Sequence, residues 1–477
     1  MERGEAEAIY DQGREVVVAV LLRMDQQIRR LSERVERQEE RIGELERKLA
    51  RSSRNSSRPP SQDPPGSPRR RGKGPSGRSP GGQSGHEGHG RELLPAWAVD
   101  EVVEHWPQRC RCGFVFAEED RVAVREPARH QVEELPLLAV GVTEHRCQRV
   151  RCPGCGSERS GELPRAVARS AFGPRFEAAV ATLSVRNRVS RRDCVELCQE
   201  LFGARIATGT VDAIVARTGD ALEQPYRDLE RRVRRAGRLN VDETGWRLRG
   251  EQRTLWGAFT NRIALFRVAQ DRHEDRARDL LDGNQGIVTS DRWWAYNHLP
   301  LRRRQLCWAH LRRDFKAHAE AIGAEREFGE HGLRVCDELF WAWEVYVHTG
   351  QRARLRRDIR LLRRELKPTL RCFAGKAPRY KRTRGMARNL LKAWPALWTF
   401  ADRQGVEPTN NHAERSLRGA VIYRKLSLGS QSEQGERRIE RLLSASITCR
   451  LQRRPLHAYL AELLTAHARG DPLPTLT

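Results

Sequence analysis

RLNVDETGWRL (residues 238–248), TLWGAFTN (254–261) and IALFRVAQ (263–270) are three short runs of β-branched, aromatic and apolar residues parted by polar turns. Such spacing predicts an antiparallel meander. A helical stretch, HEDRARDLLDG (273–283), comes next, followed by a short buried strand, GIVTSD (286–291). QLCWA (305–309) then leads into a second helix, HLRRDFKAHAEA (310–321).

Three strands, helix, strand, helix is the order of a ribonuclease H-like α/β fold. In that fold the first and fourth strands are neighbours, so Asp242 on the first and Asp291 at the end of the fourth converge. Both residues fall where an apolar run reaches polar residues, the place where a strand would end. A third acid, Glu414, lies in PTNNHAERSLRGAVIYRK (408–425), where Thr409, Asn410 or Asn411 could cap a helix and set Glu414 in or just beyond its first turn. Three carboxylates from two strands and a helix suit a pair of Mg²⁺ or Mn²⁺ ions roughly 3.5–4 Å apart, an arrangement for phosphodiester chemistry. Taken singly, an Asp at a strand end is a common turn former, and Glu414 could serve the helix dipole.

The chain carries 88 Lys+Arg against 63 Asp+Glu in 477 residues, a formal charge of +25. That excess favours a polyanion, DNA or RNA ahead of an anionic membrane; the plain alternative is an Arg-rich soluble protein. The length has room for about three domains at roughly 150 residues each. The N-terminal apolar run Val16 to Leu22 is too short to span a bilayer, which predicts a cytoplasmic protein without a membrane partner.

Residues 1–50 read as a helix with a heptad seam of Leu21, Met24, Ile28, Leu31, Val35, Gln38, Ile42, Leu45 and Leu49. Arg34 and Arg41 fall at g, Glu39 and Glu46 at the following e, so a parallel partner would meet opposite charge. A coiled-coil homo-oligomer is expected; the alternative is a helix packed on its own protein. Residues 51–91 form a basic Ser/Pro/Gly/Arg linker with no apolar residue to bury. His86 and His89 in it are read as solvated, ahead of metal ligands.

Eleven cysteines in a cytoplasmic chain argue against a disulfide framework, and five lie between Cys110 and Cys155. Cys152-Pro-Gly-Cys155-Gly has the spacing of a zinc knuckle, with Cys110-Arg-Cys112-Gly as partner and short strands expected in HQVEELPLLAVGVTEHRC (130–147). This makes 92–165 a small zinc-ribbon-like domain with a structural Zn²⁺ on Cys110, Cys112, Cys152 and Cys155. The first pair is one residue short of the usual knuckle, so Cys147 is an alternative ligand, and reduced free thiols are the other reading. Residues 166–235 are helical: SRRDCVELCQELFG (190–203) ends at a glycine, and TGTVDAIVARTGDAL (208–222) starts at a Thr cap, a pair compatible with a DNA-binding helix-turn-helix or with ordinary packing. Cys194 and Cys198 are read as packing residues.

The catalytic domain extends over 236–450, with a basic helical insertion at about 320–405 whose Arg-rich faces either hold flanking DNA or face solvent. A helical tail, 451–477, closes the chain.

These motifs together resemble the transposases of the insertion sequence 66 family, bacterial enzymes of the DDE class. The likeness runs through the zipper, NSSRPPSQD (55–63), GGQSGHEGHG (81–90), the cysteine segment, VDETGW (241–246), SDRWWAY (290–296), CWAHLRRDF (307–315) and TNNHAERSLRGAVIYRKLSLGS (409–430). The resemblance implies that Asp242, Asp291 and Glu414 are the catalytic triad holding two Mg²⁺ or Mn²⁺ ions. It implies cleavage at the ends of an element and joining of the 3′-OH ends to target DNA, with double-stranded DNA as partner and nucleoid association in action; whether helper proteins from the same element are needed stays open. It also makes Cys307-Trp-Ala-His310 a C-x-x-H signature near the centre, read here as structural ahead of zinc-binding. The C-R-C at Cys110 departs from the family's C-x-x-C. The competing functions are a catalytically silent, domesticated DNA-binding regulator and a ribonuclease H-like nuclease that cuts without joining.

Overall fold

The computed structural model describes residues 4, 8, 10–49, 93–135, 138–168, 170–376 and 380–476. The linker 51–91, with His86 and His89, lies outside the described residues, as do the side chains of Glu39 and Glu46. By contacts the chain divides into two units: a smaller one, whose described part is 93–141 with 201–204, and a larger one holding the rest.

In the larger unit, α1 (Arg14–Leu49) is one continuous helix. Its seam residues Leu21, Ile28, Leu31, Val35, Ile42 and Leu45 are exposed, so the helix does not bury them on its own protein. A hairpin of β1 (Arg149–Arg151) and β2 (Glu158–Ser160) follows. The strands expected in 130–147 do not form among the described residues. Val132, Leu135 and Val142 there are exposed, with no second layer to bury one face, and apolar alternation without such a layer has nothing to order it.

Then come α2 (Pro174–Ala181), α3 (Arg191–Phe202), α4 (Thr208–Ala221) and α5 (Glu223–Arg234). Cys194 and Cys198 are buried in packing, as expected. Thr208 is not a cap: Ala207 holds that position without a side-chain bond, and Thr208 is the first helical residue.

A five-stranded sheet has the order β5-β4-β3-β6-β7. β3 (Arg238–Leu248), β4 (Glu251–Phe259) and β5 (Ala264–Ala269) form the antiparallel meander. α6 (Glu274–Leu281) crosses to β6 (Ile287–Ser290), which pairs parallel with β3 and with β7 (Arg304–Leu306). α7 (Trp308–Ala319) leads into the insertion, α8 (Ala324–Thr349), α9 (Arg352–Ala374) and α10 (Lys381–Lys392). The insertion has its own core around Trp308, Phe315, Phe328, Leu339 and Trp398. α7 and α8 approach so closely that a Cβ at Gly332 would collide with the Phe315 ring. α11 (Asn411–Ser427), α12 (Glu433–Leu451) and α13 (Leu456–Arg469) return to the sheet. The segment 451–477, expected as a tail, contributes Leu456, Tyr459, Leu460 and Leu463 to the main core.

α12 closes the outer edge of β5 with side chains. The backbone N–H groups of Val268, Phe266 and Ala264 donate to Glu440 (2.6 Å), Ser444 Oγ (2.9 Å) and Thr448 Oγ1 (3.0 Å). Four helical residues rise about 6 Å, and two strand residues span about 6.6–6.8 Å, so the two repeats keep step for three rungs. Ser444→Ala leaves the Phe266 N–H buried without its acceptor and is expected to destabilise the protein by about 1–3 kcal/mol. Urea unfolding checks this; an unchanged midpoint would show the rung to be dispensable.

Candidate active site

Register brings the first two acids together. β3 pairs with β6 through Arg238↔Ile287, Leu239↔Val288 and Asn240↔Thr289. Continued two residues past the last pair, this register sets Asp242 level with Asp291. Asp291 immediately follows β6, as expected, and accepts the Trp293 N–H at 2.8 Å in a side-chain-closed turn. Asp242 is not at a strand end. β3 runs on to Leu248 because β4 pairs with it there, while β6 has already stopped. The third acid, Glu414, lies in the first turn of α11 and is partly exposed.

The electrostatics agree with convergence. Burial pushes the Asp242 carboxyl well above the usual range, and the charges of Glu243, Asp291 and Glu414 push it further; the Glu243 N–H, donating at 3.0 Å, opposes them. Burial and Glu243 raise Asp291 to about 6, against the Trp293 N–H and the cations Arg272 and Arg304. Arg304 is buried beneath it, donating to the Asp291 carbonyl at 3.0 Å and to Ser290 Oγ. Three hard carboxylate oxygen donors, two of them raised by burial and by their neighbours' charge, fit a divalent cation. Among the described residues, no three His, Cys, Asp or Glu side chains are already gathered as an ion would gather them.

Several side chains at the centre carry no local sequence signal. Glu243 is buried, ion-paired with Arg272, and accepts the Tyr296 hydroxyl at 2.7 Å. Arg272 also lies over the Trp293 ring, 4.1 Å from its centroid. Asn410 takes the cap position of α11 but spends its side chain elsewhere. Its amide donates to the Val241 carbonyl (2.8 Å) and accepts from Asn240 (2.9 Å), so it ties the strand of Asp242 to the helix of Glu414. No side-chain cap bond is left to it, which corrects the capping expectation.

Within Cys307-Trp-Ala-His310, the buried Cys307 Sγ accepts the Asn410 N–H at 3.1 Å and so holds the same joint. His310 Nε2 stands 3.7 Å from Glu414 Oε1. Burial and the neighbouring Arg313 and Arg292 push that ring down to about 3. Arg313 is 3.3 Å from the same Glu414 oxygen.

A family described as "Transposase IS66 family" matches residues 169–438, more than half of the chain and the whole of this centre. The chain belongs to the IS66 transposase family. A family of unknown function (DUF6444) matches residues 5–92. Two curated relatives come from Sinorhizobium fredii. Uncharacterized protein y4qI is 27% identical over 239 residues, covering 46% of this chain and 42% of its own length. Uncharacterized protein y4hP is 22% identical over 420 residues, covering 78% of this chain and 74% of its own. Membership of the IS66 family supports a transposase role. No described helix is long and apolar enough to cross a membrane.

The remaining predicted ligands fall in both units. Cys110 and Cys112 lie in the smaller one, on a turn closed by Gly113 N–H to the Cys110 carbonyl. Cys152 and Cys155 lie in the larger one at the β1–β2 turn, with Gly156 N–H on the Cys152 carbonyl; Cys147 is exposed. Hydrogen bonds from Cys112 lower the Cys110 thiol, and hydrogen bonds from Ser157 lower Cys155.

The raised acids set a pH dependence. A carboxyl whose folded pKa lies above its unfolded value contributes stability at low pH and loses it as pH rises through the folded pKa, here about 6 for Asp291. In EDTA, Asp291→Asn is therefore expected to stabilise the protein at pH 7 by on the order of 1–3 kcal/mol, with the gain gone near pH 4. Thermal midpoints at the two pH values check it; equal effects at both would contradict the buried-charge account.

Proposed function

We propose that this transposase cleaves the ends of its element and joins the resulting 3′-OH ends to target DNA at a centre formed by Asp242, Asp291 and Glu414. The observation that carries the reading is the shared register of β3 and β6, which sets two buried acids level, together with the field of Glu414 on Asp242. The sheet order supports a ribonuclease H-like core. Asp242, Asp291 and Glu414 would hold Mg²⁺ or Mn²⁺. Bound there, the ions supply an activated nucleophile on one side of the phosphodiester and charge stabilisation of the leaving oxygen on the other.

The chain's own residues do the positioning. Arg304 offsets the charge of Asp291 from below, and Asn410 with Cys307 fixes the start of the Glu414 helix against the Asp242 strand. Arg313 pairs with Glu414 and is placed to turn to a phosphate oxygen once that carboxylate is engaged. Joining needs no nucleotide cofactor, because each phosphodiester broken at strand transfer is replaced by one formed.

With labelled DNA carrying the element ends and Mg²⁺ or Mn²⁺, the wild type is expected to yield 3′-end cleavage and joined products. Asp242→Ala, Asp291→Ala and Glu414→Ala should each cost several kcal/mol of transition-state stabilisation, a loss of more than about a thousandfold, with end binding kept. Wild-type cleavage by all three variants would refute the assignment. Tight binding by the wild type without either product would favour the alternative, a DNA-binding regulator.

Two further parts of the reading rest on separate observations. Taken each by itself, the glycine-closed turn of Cys110 and Cys112 and that of Cys152 and Cys155 support thiolate ligation of Zn²⁺. The exposed apolar seam of α1 supports self-association through a coiled coil. Ile28→Asp with Val35→Asp should then lower the molar mass seen in sedimentation equilibrium to that of a single chain, and an unchanged mass would exclude this helix as the contact.

A further inference from the structure

Where α11 passes α12, the structure gathers Arg186, Arg188, Arg415, Arg418 and Arg450. The first two come from an irregular stretch between α2 and α3. Its backbone widens into a π turn, Thr182–Arg186, in which the Asn187 N–H donates to the Thr182 carbonyl at 3.1 Å. Arg188 then takes the left-handed region, φ 64°, which a residue other than glycine seldom occupies. This turn sets the Arg188 guanidinium against α11: a Cβ added at Gly419 would stand 3.9 Å from Arg188 Nη1 and 3.4 Å from Ile447 Cδ1 of α12. Arg415 precedes Gly419 by one helical turn and Arg418 adjoins it, both exposed; Arg450, also exposed, follows Ile447 by three residues on α12. Burial pushes the Arg186 guanidinium down, and the charge of Arg450 pushes it further. Among the described residues no acid pairs with any of these arginines, whereas Arg191 on α3 pairs with Asp212 and Arg438 on α12 with Asp220.

Cations left facing one another fit a polyanion that ends their repulsion. Glu414 is the only acid of α11, and Gly419 lies five residues beyond it, a rise of about 7.5 Å. One strand of a duplex advances about 3.4 Å per phosphate, so the cluster lies about two phosphates from the acids. The exposed face of α11 continues with Ile422, Lys425 and Leu426, which add a cation and no aromatic ring on which an unpaired base could stack. We infer that Arg186, Arg188, Arg415, Arg418 and Arg450 form a phosphate-binding face for duplex DNA, holding the helix that flanks the reacting phosphodiester without reading its sequence. The placement rests on the proposed strand chemistry at Asp242, Asp291 and Glu414. Arginine suits the task because its fork gives a phosphate two parallel bonds, and backbone contacts alone fix the register of a duplex. One rigid helix thereby carries the third acid and, a turn later, the grip on the flanking DNA.

The test measures binding of the full-length protein to a labelled duplex by fluorescence anisotropy over a range of KCl concentrations, with no Mg²⁺ or Mn²⁺ added so that no strand is cut. In Arg188→Gln with Arg450→Gln, affinity near ~0.1 M salt is expected to fall at least about tenfold, and the slope of log K against log[salt] to shrink by about 1.8, or about 0.9 for each phosphate contact. An element end and a scrambled duplex of equal length should lose equally, and Arg188→Lys with Arg450→Lys should restore most of the slope. Removing repelling charges should hold or raise the thermal midpoint, which shows that the variant folds. Arg415→Gln with Arg418→Gln, on the exposed face of α11, should lose as much and gives a second reading that leaves the Arg188 turn intact. Arg227→Gln with Arg231→Gln removes the same charge from a pair already held by Glu223 and Asp228, and should change neither quantity. Unchanged slope and affinity in the first two variants, an equal loss in the third, or a loss confined to the element end or to single-stranded DNA would each overturn the proposal. Cleavage that survives Asp242→Ala would sink the assigned chemistry and leave the binding result standing, so the two failures are separable.

Discussion

Everything at the centre depends on the parallel pairing of β3 with β6. Neighbouring strands lie about 4.8 Å apart, and a register that sets Asp242 level with Asp291 forces two carboxylates into each other's field. A one-residue slip would turn every side chain of β6 to the other face, so the buried Val288 and Thr289 hold the acids in place as firmly as any direct contact. The sheet tolerates the repulsion because cations are built in around it: Arg304 beneath Asp291, and Arg272 against Glu243. The third acid is joined to this pair by Asn410, whose amide spans from strand to helix.

Local pattern was enough to read the meander, the α6–β6 passage and the position of Asp291, because strand and helix periods there coincide with real burial. It failed where burial was missing. Residues 130–147 alternate like strands, yet Val132 and Val142 stay exposed and no strand forms. It failed again where a side chain serves a distant partner. Asn410 has the identity of a cap, but its amide is used 169 residues away on Val241, and nothing in the neighbouring sequence reports such a bond. Glu243 has no local signal that sets it apart from other polar residues beside Asp242. Its burial against Tyr296 and Arg272 joins residues 29 and 53 positions distant, which no local window contains.

The helical insertion was visible as a basic helical stretch, but its construction was not. It carries a separate core in which the indoles of Trp308 and Trp398 meet at a tilt, 5.0 Å apart, and it is bolted to the sheet at β7. There Gln305 accepts the Phe400 N–H at 2.8 Å and Thr399 donates to the Arg304 carbonyl at 2.7 Å. An element fixed in this way moves with the sheet, so the side chains it offers toward the acids keep a constant distance from them.

The same bolts have a second effect, shared with the rungs of α12 on β5. A free sheet edge is a template on which another chain can add a strand. Here one outer edge is occupied by Glu440, Ser444 and Thr448, and at the other Thr399 takes the Arg304 carbonyl. On this sheet edge-to-edge growth between copies is thereby hindered, the route by which a concentrated, partly unfolded α/β protein turns into fibres.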